Sequence, residues 1–158
     1  MIAIQIQPIG VIRSPFKQAS GTPIQPAFAA GAEGVVELDP RFTAALKDLD
    51  GFERIWLLYW FHQAAPARLT VQPYMDDKAE HGLFATRAPC RPNPIGMSAV
   101  RLLRITGCHL HVTDIDILDG TPLLDIKPYV PKFDHFDVQR VGWLSGAVGR
   151  VIADERFS

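Results

Sequence analysis

Cysteine is nearly absent from this chain: Cys90 and Cys108 are the only two in 158 residues. A disulfide scaffold or a cysteine-based zinc site needs more, so at most one disulfide is open to it. Long apolar runs are missing as well. The longest, Ile55 to Phe61, is far too short to span a bilayer as a helix. No charge of one sign dominates. A formal net charge of −1 excludes a uniformly basic nucleic-acid binder but not a local basic patch. There is no Gly-x-Gly-x-x-Gly after a strand pattern, no Walker A and no alternation of strands with helices, which argues against a doubly wound nucleotide-binding fold. No repeat, low-complexity tract or domain boundary interrupts the chain. At 47% apolar, residues 1–158 read as one globular domain with a real core. The first residues, Met1 to Gln5, alternate like a strand instead of running apolar like a signal peptide, so a cytoplasmic protein is the expectation.

What is present reads mostly as strand. Ile2, Ile4 and Ile6 alternate with polar or small residues, and Ile9, Val11 and Arg13 follow past Pro8. Residues 14–32 are rich in Pro, Gly, Ser and Gln, a loop long enough to be functional. A short strand over 34–38 precedes the one clear helix. There Asp39 is the N-cap, Pro40 opens the first turn, and Phe42, Leu46 and Leu49 share a face. Ile55 to Phe61, apolar on both faces, predicts a central buried strand. Further strands are predicted over 69–72, 98–105, 110–118, 123–126, 138–144 and 147–152. Many short strands with one helix point to an all-β barrel or sandwich.

The most distinctive stretch runs from Gly82 to Met97. Pro89, Pro92 and Pro94 fix φ there and push their predecessors into extended backbone. A stiff loop holding Arg87 and Arg91 in set directions would suit an anion, since guanidinium matches carboxylates and phosphates. The same pattern fits a surface crossover with solvated arginines. His62 and Gln63 end the buried strand, where polar side chains either line a pocket or cap the strand. Leu118-Asp119-Gly120-Thr121-Pro122 is a turn that can present backbone groups and one carboxylate. Lys127 to Lys132 is a second stiff cationic segment, with Tyr129 available for stacking. Asp114, Asp116, Asp119 and Asp125, with His109, His111 and His135, lack a recognised metal-ligand spacing and match a solvated sheet face equally well. Cys90, beside Arg91, could be an activated thiol or a cysteine in a turn.

Several blocks occur in order: Gly10 to Phe16, Gly51-Phe52, Phe84 to Arg87, Arg91-Pro92-Asn93-Pro94-Ile95-Gly96-Met97, Leu118 to Pro122, and Asp125-Ile126-Lys127-Pro128-Tyr129. From about Ile9 to Pro131 the chain closely resembles the TsaA-like family, also called TrmO or YaeB-like. The resemblance implies a small closed or nearly closed β-barrel with one short helix and long functional loops. It implies S-adenosyl-L-methionine as cofactor, no metal, and a homodimer with the cofactor near the subunit interface. The implied reaction is N6-methylation of threonylcarbamoyl-adenosine beside the anticodon of tRNA. A binding module for the cofactor or an RNA is the alternative, and a metal-dependent hydrolase a third.

By position, the resemblance places the cofactor among Pro23, Ile24, Gln25, His62, Gln63, Arg87, Met97, Leu118, Asp119, Gly120 and Thr121. Arg87 would take its carboxylate. Arg91, Asn93 and Lys127 are candidates for the tRNA, and Asp125 or Tyr129 for accepting the proton of the methylated nitrogen. The chain departs from the family in four places. Glu53-Arg54 stand where Ser-His is frequent, Ala88 replaces a serine, and Ile24 replaces an arginine. Known bacterial members also continue past the position of Ser158.

Overall fold

The computed structural model describes every residue, Met1 to Ser158. Its strands are β1 (Gly10–Arg13), β2 (Glu33–Leu38), β3 (Arg54–Trp60), β4 (Thr70–Val71), β5 (His81–Gly82), β6 (Ile95–Thr106), β7 (His109–Thr113) and β8 (Thr121–Pro128). Six of them close a barrel in the order β1-β2-β7-β6-β3-β8, and β4 and β5 form a separate two-stranded ribbon. Every pair in the barrel is antiparallel. The expected all-β barrel is therefore what the chain builds.

Alternation explains the barrel's interior. On β3, Ile55, Leu57 and Tyr59 point inward and are buried, while Arg54, Trp56, Leu58 and Trp60 on the other face are half-buried. The strand is central because β6 and β8 flank it, but its outer face is not sealed. Ile12, Val36, Val100, Leu110, Val112 and Leu123 fill the same core. Burying each such side chain is worth about 1.5–3 kcal/mol, so the closed sheet is the main source of stability.

The expected helix is a 3₁₀ segment, Pro40–Leu46. The Asp39 carboxylate accepts from the Arg41 N–H, and the Asp39 carbonyl accepts from the Phe42 N–H. Only Leu46 is buried in it, so packing places little demand on a longer α-helical face. The single α-helix, α1, is instead the four residues Pro131–Asp134. Three predicted strands are also absent. Met1 to Ile6 are exposed and unpaired, and residues 138–144 and 147–152 form no ladder beyond one bridge between Pro23 and Ile152. The reason lies in the closure: β1 pairs with both β2 and β8, so the barrel has no free edge for another strand. The strand predicted over 110–118 stops at Thr113, where Asp114 takes φ 62°. An aspartate tolerates the left-handed region better than most residues, and here the Gly31 N–H and Arg54 Nη2 hold its carboxylate. Cys90 is fully buried, Cys108 partly, and both are free thiols.

Candidate functional site

One end of the barrel is formed by the close of β3 and the starts of β6 and β8. Loops 14–32 and 61–94 and the C-terminal tail build a crown over that end, enclosing a cavity of about 680 Å³. The tail laces the crown together. The Ile24 N–H donates to the Val151 carbonyl, Ala153 N–H to Thr22, and Arg150 N–H to Tyr74. Arg156 binds the Asp154 carboxylate through Nε and Nη2, reaches Asp77, and lies over the Tyr74 ring. Phe157 is buried in a small second core with Val71, Leu83, Ala88 and Cys90. The Cys90 side chain is thus packing material.

The two loop arginines diverge. Thr86 and Ala88 are buried, which turns Arg87 between them toward the cavity, where Nη1 donates to Gln25 Oε1 at 2.7 Å. No carboxylate pairs with it. Arg91 Nη1 donates to the Thr86 carbonyl at 2.9 Å and reaches those of Leu83 and Ala88 at 3.4 Å. It braces the loop from within, and its side chain also edges the cavity.

Of the residues expected at the cofactor, Pro23, Ile24, Gln25, His62, Gln63, Arg87, Met97, Leu118 and Thr121 line this cavity. His62 Nδ1 lies 3.4 Å from Thr121 Oγ1, whose hydroxyl donates to the Leu118 carbonyl at 2.7 Å. Asp119 and Gly120 do not line it. The Asp119 carboxylate pairs with Lys17 at 2.9 Å and accepts from the Ser14 N–H, and these contacts, Lys17 first, hold it below the usual carboxylate range. The N–H groups of Asp119, Gly120 and Thr121 already donate to Phe16, Ile12 and Leu118 carbonyls. Gly120, at φ 79°, makes the turn possible.

Asn93, Lys127, Asp125 and Tyr129 are not brought to the cavity. Asn93 is exposed. Asp125 and Lys127 pair with each other at 2.9 Å, and Asp125 borders a separate hollow of about 470 Å³. Tyr129 packs against Trp56. The other members of the Asp/His set are dispersed too, and no three His, Cys, Asp or Glu side chains converge as a metal would need.

Asp116, Ser98 and Tyr59, by contrast, meet on the cavity side of the barrel mouth. The Ser98 hydroxyl donates to Asp116 Oδ1 at 2.6 Å, and the Tyr59 hydroxyl lies 3.0 Å from Ser98 Oγ. Ile115 and Ile117 are buried on either side of Asp116, and Asp116 lies on the cavity wall beside Ile117. Burial pushes its pKa up to about 7, against the opposing pull of the Ser98 hydrogen bond, its own N–H and the Arg87 charge. The Tyr59 hydroxyl is driven far above its ordinary value, by burial first and the nearby Asp116 charge second. Gly96, opposite Tyr59 in the β3–β6 register, leaves room for that ring; a Cβ there would clash with it. Sequence reasoning gave Asp116 only to a possible metal set and passed over Ser98 and Tyr59. The available signal was an aspartate between two isoleucines just before a turn.

Comparison with known proteins gives the family. A family model described as tRNA-methyltransferase O N-terminal domain matches residues 11–135. A protein of Pyrococcus abyssi named "Probable S-adenosyl-L-methionine-binding protein" is 52% identical over 95% of this chain and 81% of its own length. The Escherichia coli tRNA (adenine(37)-N6)-methyltransferase is 41% identical over 83% of this chain, which spans 60% of that enzyme. The crystal structure of TrmO from Pseudomonas aeruginosa superposes with a TM-score of 0.75 at 42% identity, covering 90% of this chain and 63% of the other. Shared barrel, shared sequence and a family match over most of its length together establish that this chain belongs to the tRNA-methyltransferase O N-terminal domain family.

Proposed function

We propose that this protein is an S-adenosyl-L-methionine-dependent methyltransferase acting on N6 of threonylcarbamoyl-adenosine beside the anticodon of tRNA. The observation that carries this reading is the crown cavity, with Arg87 on its wall and no acidic partner taking up the guanidinium. The residues present fit the cofactor. A volume of about 680 Å³ lies within the roughly 300–1,000 Å³ of small-molecule sites. Arg87 suits an amino-acid carboxylate, His62 and Gln63 offer polar atoms, and Ile24, Phe61 and Leu118 supply apolar wall. When bound, the cofactor supplies an electrophilic methyl group on a sulfonium. The chain's part is alignment: Arg87 fixes one end of the donor while the barrel mouth fixes the other.

The tRNA and the second subunit belong to the same proposal. Phe133, Phe136, Val138 and Val141, following the barrel, are at least half exposed. A homodimer would cover this apolar stretch and bring a second copy close to the cavity. Arg91, Asn93 and Lys127 stand as the proposed tRNA contacts, and residues 1–158 act as one unit. No helix is long and apolar enough to cross a membrane, and tRNA as substrate favours the cytoplasm.

Calorimetric titration tests the cofactor site. Wild type should bind S-adenosyl-L-methionine, and Arg87→Ala should lose about 10-fold or more in affinity, as expected for a charge-assisted hydrogen bond. Its melting temperature should hold within about 2 °C, because the side chain is exposed. Mass spectrometry of tRNA nucleosides from cells with and without the gene tests the acceptor. Binding with no change in methylated threonylcarbamoyl-adenosine would leave a binding module and end the methyltransferase reading.

A further inference from the structure

We propose that Asp116, positioned by Ser98 and Tyr59, accepts the proton that leaves the acceptor nitrogen during methyl transfer. The inference rests on the methyltransferase reading and deepens it.

The acceptor nitrogen is part of a urea-like group and carries one hydrogen. Its attack forms the N–C bond and breaks the C–S bond, whose electron pair stays on sulfur. The hydrogen must then leave as a proton. A suitable acceptor needs to face the cavity, be in no salt bridge, and have an affinity for protons near the working pH. Asp116 meets these conditions. It lines the same cavity as Arg87. It is in none of the protein's salt bridges, whereas Asp114, Asp119 and Asp125 are each neutralised by Arg54, Lys17 and Lys127.

The charged and titratable groups that face Asp116 are Arg87 from the loop and the Tyr59 hydroxyl from β3; Ser98 from β6 supplies the neutral contact. Arg87 and Ser98 favour the ionised form, while burial opposes it, leaving the carboxyl titrating at about 7. Ser98 is a positioning residue. Its hydroxyl occupies Oδ1 at 2.6 Å, and Tyr59 lies within 3.0 Å of it on the far side. With Oδ1 held, Oδ2 is the atom left for the substrate. Asp125 and Tyr129, the sequence's own candidates for this role, are committed elsewhere in the same subunit, to Lys127 and Trp56.

The test combines three readouts on the full chain. The first needs neither cofactor nor tRNA: ¹³C NMR of aspartate-labelled protein. One carboxyl should titrate near neutral pH in wild type and vanish in Asp116→Asn. In Ser98→Ala its midpoint should rise, because a donor to the ionised form has been removed. The second is calorimetry with S-adenosyl-L-methionine, where Asp116→Asn should stay within about 3-fold of wild type. The third is turnover on threonylcarbamoylated tRNA. Asp116→Asn should lose about 100-fold or more in kcat, as expected when a general base is removed. The wild-type acid limb near neutral pH should disappear in Asp116→Asn and move upward in Ser98→Ala. A loss of cofactor affinity matching the loss of turnover would overturn the proposal, making Asp116 a cofactor ligand. So would an Asp116→Asn variant with wild-type kcat, or no carboxyl titrating near neutrality. Wild-type protein that binds the cofactor but methylates no tRNA would overturn the methyltransferase reading, and this proposal with it.

Discussion

Ile55, Leu57, Val100 and Val112 in the barrel, and Ile24, Arg87 and Phe157 in the crown, are held in place by different physics. The barrel residues are fixed by a closed ladder in which each strand pairs on both sides, so their positions are over-determined by backbone hydrogen bonds and a shared core. The crown has almost no ladder. Single backbone bonds from the tail, the Arg156 knot, the Arg91 brace and a five-residue core hold it. The barrel is therefore a rigid base, and the crown a set of loops tied at a few points. A site at their junction gains a precise floor from Tyr59 and Asp116, both bonded to Ser98, and an adaptable roof from Gln25, Arg87 and Trp143. Cooperative opening should start in the roof, where fewer bonds must break.

Substitutions can break that contrast, beginning with the largest effect. Leu57→Ala removes a fully buried side chain from the barrel and should cost about 2–5 kcal/mol by urea unfolding. A cost as small as that of an exposed crown substitution would mean the barrel is not the stable unit. Gly96→Ala comes next. The new methyl would meet the Tyr59 ring, forcing floor and strand apart at about 1–3 kcal/mol. It should also shift the titration of Asp116, read by the same NMR experiment. Arg156→Ala should cost about 1–2 kcal/mol, because a partly buried side chain loses both hydrogen bonds and stacking over Tyr74. Hydrogen exchange should quicken at Ile24 and Ala153, whose N–H groups bond within the crown, while β3 amides stay protected. Equal loss in both places would make crown and barrel one cooperative unit.

A further effect concerns pH. Asp116 has a raised folded pKa, so the native state favours its protonated form. Stability is lost as pH rises from the unfolded aspartate value toward about 7 and is flat above that. Asp116→Asn escapes the penalty. Its melting temperature should exceed that of wild type above pH 7, with the gap closing as pH falls below about 4. Asp154 runs the other way. The Arg156 hydrogen bond, followed by the backbone N–H of the same residue, holds its pKa below the ordinary value despite desolvation. Its contribution is present above the unfolded pKa and is lost on strong acidification, in Arg156-containing protein only.

The sequence was readable where chemistry is local. Short apolar segments between turn signals announced the strands at 34–38, 55–61 and 98–105, and the prolines from Pro89 to Pro94 announced an extended loop. Alternation misled at Ile2 to Ile6 and across 138–152. A strand exists only if an edge accepts it, and closure of the sheet is a property of the whole chain. The N-cap and proline at Asp39-Pro40 marked a helix start correctly, but 3₁₀ against α was settled by packing that only Leu46 provides. Arg87, Met97, Leu118 and Thr121, from the motifs that carried the resemblance, line one cavity with Pro23, Ile24, Gln25, His62 and Gln63, because the barrel mouth gathers segments far apart in sequence. Asp125 and Tyr129 looked plausible because they follow a motif in sequence, yet in the fold they sit with Lys127 and Trp56.

By itself, then, the order of residues determined an all-β domain, a stiff loop carrying two arginines, and the family those motifs signal. Turn chemistry, alternation and proline stiffness act over a few residues and can be read one segment at a time. Which arginine faces the cavity and which braces the loop was decided by tertiary structure, through the burial of Thr86 and Ala88 on either side of Arg87. So was the meeting of Tyr59, Ser98 and Asp116, drawn from three segments across barrel registers. A carboxylate's affinity for a proton depends on how much water and charge surround it, and that environment exists only once the sheet has closed.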